Sequence, residues 1–167
     1  MLPSGIPELP PAGSPASAIA AVALAKARAV ARALAEGDLA LVLGADTEVV
    51  LDGQLLGKPR DAADAARMLR ALRGRAHEVI TGLALVEAGG QGRERTEVVV
   101  SRVRMAAYGD DEVEAYVATG EPFDKAGAYA VQGLGGRLVA EVEGCYTNVV
   151  GLPVATTRRL LEEWGLR

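Results

Sequence analysis

The amino-acid sequence predicts an α/β fold in which helices flank a mixed sheet. Segments with the period of an amphipathic helix alternate with short apolar runs that are typical of strands. The strand segments occur mostly as pairs joined by turn signals, which indicates hairpins and therefore a sheet that is mixed rather than purely parallel. The chain has 167 residues, half of them hydrophobic, and this is enough for the core of one domain.

The predicted elements follow from local capping and turn signals. Ser14-Pro15 is an N-cap followed by a proline in the first turn, and Gly37 ends the first helical pattern. Asp61 caps the second helix, and Asp52-Gly53 marks a turn between short strands. In chain order we expect helix 15–36, strands 39–44 and 48–51, a short return at 54–56, helix 61–72, strands 77–87 and 96–106, helix 110–118, strands 128–132 and 138–143, and helix 153–164.

Composition excludes several classes of protein. The single cysteine, Cys145, rules out an intrachain disulfide and a cysteine-cluster metal site, and the single histidine, His77, rules out a multi-histidine zinc site. The net charge is −4 and basic residues are scattered, so we expect no nucleic-acid partner. No apolar run reaches 18 residues, and no signal peptide is evident. We therefore expect no membrane association and a cytoplasmic location.

Asp46 and Lys58 are the first candidates for a functional site. Asp46 is expected to follow the apolar run 39–43, and Lys58 comes a short hairpin later, between Gly57 and Pro59. A carboxylate at a strand end with a nearby lysine suits a phosphate and its metal. Asp46 would be a general base, or a metal ligand that activates water. The alternative is a turn aspartate that bonds its own backbone.

Lys26 is a candidate because of its position on the first helix. At 100° per residue it falls in the middle of an apolar stripe that contains Ile19, Val22, Val30 and Leu34. A lysine is rarely buried without a partner. The ammonium group is therefore aimed at a ligand phosphate, or it extends out of the interface into water.

Two further candidates lie in the second half of the chain. Asp124 and Lys125 place an acid and a base together in a glycine-flanked loop, which indicates either a metal or phosphate contact or a surface ion pair. Gln132 precedes a glycine-rich turn, and its amide can donate to and accept from the edge of a nucleobase. A solvated polar residue is the alternative. We expect His77 to be structural or on the surface.

Six segments together resemble one family. In chain order they are GADT (44–47), GKPRD (57–61), HEVITG (77–82), DKAGAY (124–129), QG (132–133) and NVVGLP (148–153). Their order resembles that of the Maf-like nucleoside triphosphate pyrophosphatases, and the resemblance extends from about Ser4 to Leu161. Each motif alone is weak evidence, whereas six in sequence are specific.

The resemblance implies a fold, a reaction and a set of site residues. The fold would be an elongated, two-lobed domain with a curved sheet, and homodimerisation is also implied. The reaction would be hydrolysis of a nucleoside triphosphate to the monophosphate and pyrophosphate with a divalent cation, Mg²⁺ or Mn²⁺. Asp46 would accept a proton, Asp46 and Asp124 would hold the metal, and Thr47 and Gln132 would read the base as in the dTTP and UTP branch. The substrate-binding positions implied by the resemblance are Glu8, Lys26, Thr47, Lys58, Lys125 and Gln132.

One family segment has no counterpart in the sequence. The family opens with a strand and a Ser-x-Ser-Pro-Arg type of phosphate loop, and we expect this chain to lack both. Gly13-Ser-Pro-Ala16 has only a superficial likeness to that loop, because it contains no arginine. The alternative to the enzyme is therefore a nucleotide-binding family member with weak catalysis that regulates cell division and septum formation.

Overall fold

The computed structural model describes residues 13–34, 40–90 and 92–166. The expectation for Glu8 lies outside these residues. The first helix ends at Ala33, where Leu34 is already extended, so the predicted helix end at Glu36 is wrong. Within them, no helix combines the length and the apolar character needed to cross a membrane. The helices and strands are α1 (Pro15–Ala33), β1 (Ala40–Leu51), β2 (Gln54–Leu55), α2 (Ala62–Leu72), β3 (Ala76–Ala88), β4 (Glu94–Met105), α3 (Asp110–Ala118), β5 (Val139–Glu143), α4 (Tyr146–Val150) and α5 (Val154–Glu163).

The predicted α/β class is confirmed. Five strands form one sheet in the order β2-β1-β3-β4-β5. Val50 pairs with Leu55 between β1 and β2, and Val103 pairs with Val142 between β4 and β5, both antiparallel. The sheet is antiparallel, whereas we expected a mixed one. The β1–β2 turn at Asp52-Gly53 has positive φ at both residues, as tight hairpins require.

Two of the strand predictions are wrong: one strand end is misplaced, and one predicted strand is absent from the described residues. Strand β1 is continuous over twelve residues, and Gly44 lies inside it instead of ending it. The predicted strand at 128–132 is absent from the described structure, because Gly127 and Ala128 have φ of 67° and 61° and a strand cannot pass through such residues. The amide of Gly127 instead donates to the carbonyl oxygen of Gly57 at 2.8 Å.

The helix starts were predicted well. Ser14 is the N-cap of α1, and its hydroxyl accepts from the amide of Ser17. Asp61 caps α2 in the same way through the amide of Asp64. Helix α3 begins at Asp110 and ends before Gly120, which has a φ of 80°. These boundaries follow from side chains that bind the backbone within three residues, which is why local sequence predicts them.

The chain divides into two compact units, which we call unit 1 (1–46 with 82–98) and unit 2 (47–81 with 99–167). In unit 2, Met68, Leu69 and Leu72 of α2 form the predicted buried stripe. They belong to a core that also includes Val103 of β4 and Tyr116 of α3. The stability of unit 2 therefore rests on ordinary packing of large apolar side chains.

Unit 1 is built on a close approach of helix α1 to the strands. A Cβ added to Gly44 would lie 2.4 Å from the carbonyl oxygen of Ala23, and one added to Gly82 would lie 2.8 Å from the Cα of Ala20. The face of α1 that packs here is made of Ile19 and small residues, namely Ala20, Ala23 and Ala27.

The stripe predicted for α1 is therefore wrong except at Ile19. Ile19 is buried, whereas Val22, Val30 and Leu34 are exposed. Small alanine side chains allow the helix to approach the glycines, and a face of valines would hold it away. The helix rotates to present its small residues, and this is a tertiary constraint that a count of hydrophobic positions does not contain.

We expect Gly44→Ala to lower the free energy of unfolding by about 3 kcal/mol, because the added Cβ meets backbone atoms that no rotamer change can move. The measurement is urea unfolding followed by circular dichroism. Gly109→Ala is the control, since its Cβ would meet only a carboxylate oxygen of Glu112 at 3.9 Å. Gly109→Ala should lower the free energy of unfolding by less than about 1 kcal/mol, the difference between alanine and glycine as an N-cap. Equal costs would contradict the close packing.

Candidate functional site

Asp46 and Lys26 form an ion pair in unit 1. The Lys26 ammonium donates to Oδ1 of Asp46 at 2.6 Å, and the side chains are 14% exposed for Asp46 and 56% for Lys26. Because Asp46 lies inside β1, the alternative of a turn aspartate is wrong. The pair joins two residues that the sequence singled out for separate reasons. A carboxylate held by a charge-assisted hydrogen bond is oriented, and its other oxygen can take part in chemistry.

The packing of α1 explains why these two residues meet. Gly44 contacts Ala23 and Ala27, and Asp46 lies two residues further along the same face of β1. Lys26 is in the same helical turn as those alanines and lies at the edge of the buried face. The ammonium group thus neither enters the core nor extends freely into water, because Asp46 holds it.

Thr47 belongs to a hydrogen-bond network in unit 2. Its hydroxyl oxygen lies 2.8 Å from the hydroxyl oxygen of Thr81 and 3.2 Å from the carbonyl oxygen of Gly151. Thr81 also contacts the carbonyl oxygen of Asn148 at 3.3 Å. The side chain of Thr47 is therefore oriented by residues from β3 and from the end of α4. The predicted role of Thr47 in reading the base stays a prediction.

Lys125, Asp124 and Lys58 form a charged group in unit 2. Lys125 donates to Oδ1 of Asp124 at 2.7 Å, and both side chains are exposed. The pKa of Asp124 is lowered by this hydrogen bond first, and the charge of Lys58 adds to the effect. The hydrogen bond between Gly127 and Gly57 ties the loop that carries Lys58 to the turn that carries Lys125. The surface ion pair that we considered is present, and the metal or phosphate role remains a prediction.

Gln132 is exposed in the bend before a 3₁₀ turn at Leu134–Leu138. Glu121 organises this loop, and sequence reasoning missed it. Its carboxylate accepts from the hydroxyl of Tyr116 at 2.9 Å and from the amides of Leu134 and Gly135 at 3.1 and 3.0 Å. Only its place in Gly120-Glu-Pro122, just beyond a helix, hinted at a structural role. Its two amide partners are thirteen and fourteen residues away, so no local pattern reveals them.

His77 is structural, as predicted, and it is buried. Its Nε2 lies 2.8 Å from the hydroxyl of Tyr129. Burial lowers the pKa of His77 to about 4, because the charged imidazolium would lose its hydration. The imidazole is therefore neutral at physiological pH.

Asp46 and Asp124 are the carboxylates expected to bind a metal. No group of three or more histidine, cysteine, aspartate or glutamate side chains suited to a metal ion occurs in the described part of the chain. Mg²⁺ commonly binds through one or two carboxylates together with substrate phosphates, instead of a complete protein cage. Single carboxylates such as Asp46 and Asp124 fit a metal of that kind, and their role as ligands stays a prediction.

Comparisons with known proteins agree with the motifs. The family model described as Maf-like protein matches residues 1–164. A protein of Anaeromyxobacter sp. (strain Fw109-5), named dTTP/UTP pyrophosphatase, is 58% identical over 132 residues, 78% of this chain and 63% of the relative. A protein of Dictyoglomus turgidum with the same name is 52% identical over 126 residues, 75% of this chain and 65% of the relative. The chain thus spans less than two thirds of the length of these two curated relatives.

Glu121→Gln should destabilise the protein by about 1–3 kcal/mol at neutral pH, because a neutral amide replaces a charged acceptor of three hydrogen bonds. Burial alone would raise the pKa of Glu121, but the amides of Gly135 and Leu134 and the Tyr116 hydroxyl lower it overall. This contribution is complete above the ordinary glutamate pKa of about 4.3, and it is lost as pH falls through the lowered pKa of the folded state.

Urea unfolding at about pH 7 and about pH 3 measures this effect. The gap between wild type and Glu121→Gln should shrink at the lower pH. Glu114→Gln, at an exposed position on α3, is the control and should change little at either pH. A gap that is the same at both pH values would show that the charge of Glu121 does not hold the loop.

Proposed function

Because the chain belongs to the Maf-like protein family, we propose that it hydrolyses nucleoside triphosphates, with dTTP and UTP preferred, to the monophosphate and pyrophosphate. The name shared by the relatives supports the choice of substrate. The observation that carries the proposal is the Asp46 carboxylate, which is largely buried and is held by Lys26 within the GADT motif.

Asp46 is proposed as the proton acceptor. Hydrolysis forms a bond between water oxygen and the α-phosphorus and breaks the bond from that phosphorus to the bridging oxygen of the pyrophosphate. The water must lose a proton as it attacks, and a carboxylate within hydrogen-bond reach takes it. Lys26 engages Oδ1 of Asp46, so we assign the proton to Oδ2. The ammonium group also stabilises negative charge near the reacting centre.

The remaining lysines are proposed to bind the phosphates. Lys58 and Lys125 carry flexible ammonium groups, and such groups are common phosphate ligands. Asp46 and Asp124 are each proposed as a ligand of a divalent cation, Mg²⁺ or Mn²⁺, which would neutralise the charge of the triphosphate when it is bound. Lys125 is adjacent to Asp124 along the chain and is hydrogen-bonded to it.

Thr47 and Gln132 are proposed to contact the base, in keeping with the relatives' names. Homodimerisation and a cytoplasmic location stay predictions from the family resemblance. The proposed activity is tested directly by measuring pyrophosphate release from dTTP, UTP, CTP and purine nucleoside triphosphates with Mg²⁺. Absence of release from all of them would refute the proposal and would favour a nucleotide-binding regulator.

Asp46→Asn should lower kcat about 10²- to 10⁴-fold, the usual cost of losing a general base, while the fold stays intact. Pyrophosphate release and a thermal melt check the two parts of this statement. Asp52→Asn is the matched control, because Asp52 is an exposed aspartate that pairs with Arg75 at 2.7 Å. It should retain full activity. A folded Asp46→Asn protein with wild-type kcat would remove Asp46 from the mechanism.

Removal of divalent cations with a chelator should abolish turnover, and addition of Mg²⁺ or Mn²⁺ should restore it. The chelator should also weaken nucleotide binding. The measurement is the affinity for a non-hydrolysable UTP analogue by isothermal titration calorimetry. Asp124→Asn should raise the Mg²⁺ concentration needed for half-maximal binding. Full activity in the chelator would exclude the metal from the reaction.

A further inference from the structure

Two threonine hydroxyls and two carbonyl oxygens meet in unit 2. The hydroxyl oxygens of Thr47 and Thr81 are 2.8 Å apart. Thr47 lies 3.2 Å from the carbonyl oxygen of Gly151, and Thr81 lies 3.3 Å from that of Asn148. The side chain of Thr81 is fully buried, whereas Thr47 is only partly buried. Of the two threonines, only Thr47 therefore has exposed surface that a ligand could touch.

The number of protons in this group is smaller than the number of contacts. Each threonine hydroxyl has one proton to donate and two lone pairs to accept with. Two protons must serve three contacts, of which two end on carbonyl oxygens that cannot donate. Two hydroxyl oxygens at 2.8 Å without a proton between them would repel each other, so one proton lies on the Thr47–Thr81 line.

Two arrangements of the protons remain. In the first, Thr81 donates to Thr47, and Thr47 donates to the carbonyl oxygen of Gly151. In the second, Thr47 donates to Thr81, and Thr81 donates to the carbonyl oxygen of Asn148. In both arrangements the proton of Thr47 goes to an acceptor within the protein, and a lone pair of Thr47 is left for a ligand.

The acceptors are held in place by Asn148. Its side-chain amide is completely buried and donates to the carbonyl oxygen of Val79 and to the hydroxyl of Ser101, both at 2.9 Å. These bonds attach α4 to β3 and β4, and Gly151 directly follows α4. The carbonyl oxygens that face the two threonines therefore cannot easily turn away.

We infer that Thr81 is a positioning residue that commits the proton of Thr47 to the protein, so that Thr47 offers a bound base a lone pair and selects pyrimidines with an N–H at ring position 3. This inference rests on the proposed function, in which Thr47 contacts the base. Uracil and thymine carry an N–H at position 3, whereas cytosine has a bare acceptor nitrogen there. The hydroxyl of Thr47 would pair with the first two and would face a lone pair of the third.

Discrimination against cytosine depends on the free-energy cost of turning the hydroxyl proton of Thr47 toward the ligand. To pair with cytosine, Thr47 would have to redirect its proton and give up its hydrogen bond within the protein. Without the Thr81 hydroxyl, only the longer contact with Gly151 would hold that proton. The barrier against cytosine would therefore fall, while contacts with the phosphates would be unaffected.

Thr81→Val tests this inference, because valine matches threonine in shape and lacks the hydroxyl. The measured quantity is the ratio of kcat/KM for UTP to kcat/KM for CTP. This ratio should fall roughly three- to tenfold in Thr81→Val, the scale of one hydrogen bond. Thr81→Ser keeps the hydroxyl and should retain the wild-type ratio. If Thr81→Val does not fold, Thr81→Cys, with its weak S–H donor, should lower the ratio in the same direction.

Thr157→Val is the matched control. Thr157 is also buried, and its hydroxyl oxygen has no hydrogen-bond partner among the described residues. Its replacement should leave the ratio unchanged. In a Thr47→Val background, Thr81→Val should have no further effect on the ratio, because the lone pair that it orients is already gone.

The outcomes separate this inference from the proposed function. A wild-type protein without pyrophosphatase activity, or without preference for UTP over CTP, would overturn the proposed function and the inference with it. A wild-type protein with the preference and a folded Thr81→Val variant with the same ratio would overturn the inference alone. An equal loss of ratio in Thr81→Val and Thr157→Val would also overturn it, since that would indicate a general packing effect.

Discussion

The close contact between helix α1 and the strands of unit 1 is the constraint on which the candidate catalytic group depends. At Gly44 the helix backbone approaches so closely that even a methyl group would collide with Ala23. This contact determines which residues of α1 lie beside β1 and brings Lys26 to Asp46. The glycine and the carboxylate are two residues apart, so the packing feature and the chemical feature belong to one short stretch of strand.

The hydroxyl network of unit 2 depends on a different kind of interaction. Asn148 is buried and is tied to two strands, and through its own backbone it helps to surround Thr47 and Thr81 with acceptors. Buried polar networks of this kind specify orientation as well as stability, because each unsatisfied member would be costly. The segment NVVGLP thus has a structural explanation, namely that it supplies the carbonyl oxygens that Thr47 and Thr81 contact.

The loop that carries Gln132 is held by charge and backbone amides instead of by apolar packing. Glu121 accepts hydrogen bonds from two amides of the following turn, and Tyr116 also receives one from the amide of Ala130. Gly133 is required there, because a Cβ would lie 2.8 Å from a carboxylate oxygen of Glu121. The glycines that follow Gln132 therefore permit a compact turn around one carboxylate.

The sequence by itself determined the features that depend on neighbours along the chain. The caps at Ser14 and Asp61, the turn at Asp52-Gly53 and the start of α3 at Asp110 were all predicted, because each arises from bonds within a few residues. The family motifs likewise singled out Asp46 before any geometry was known. Lys26 was found for a partly mistaken reason, since the stripe in which it was placed is exposed apart from Ile19.

Only the tertiary structure decided the partners of these residues. The pairing of Lys26 with Asp46 spans 20 residues, and that of Thr47 with Thr81 spans 34. Such contacts depend on which face of a helix packs and on how strands align, and residue spacing contains neither. The role of Glu121 was missed for the same reason. Local chemistry chose the functional groups, and the packing of distant backbone segments determined what each group can bind.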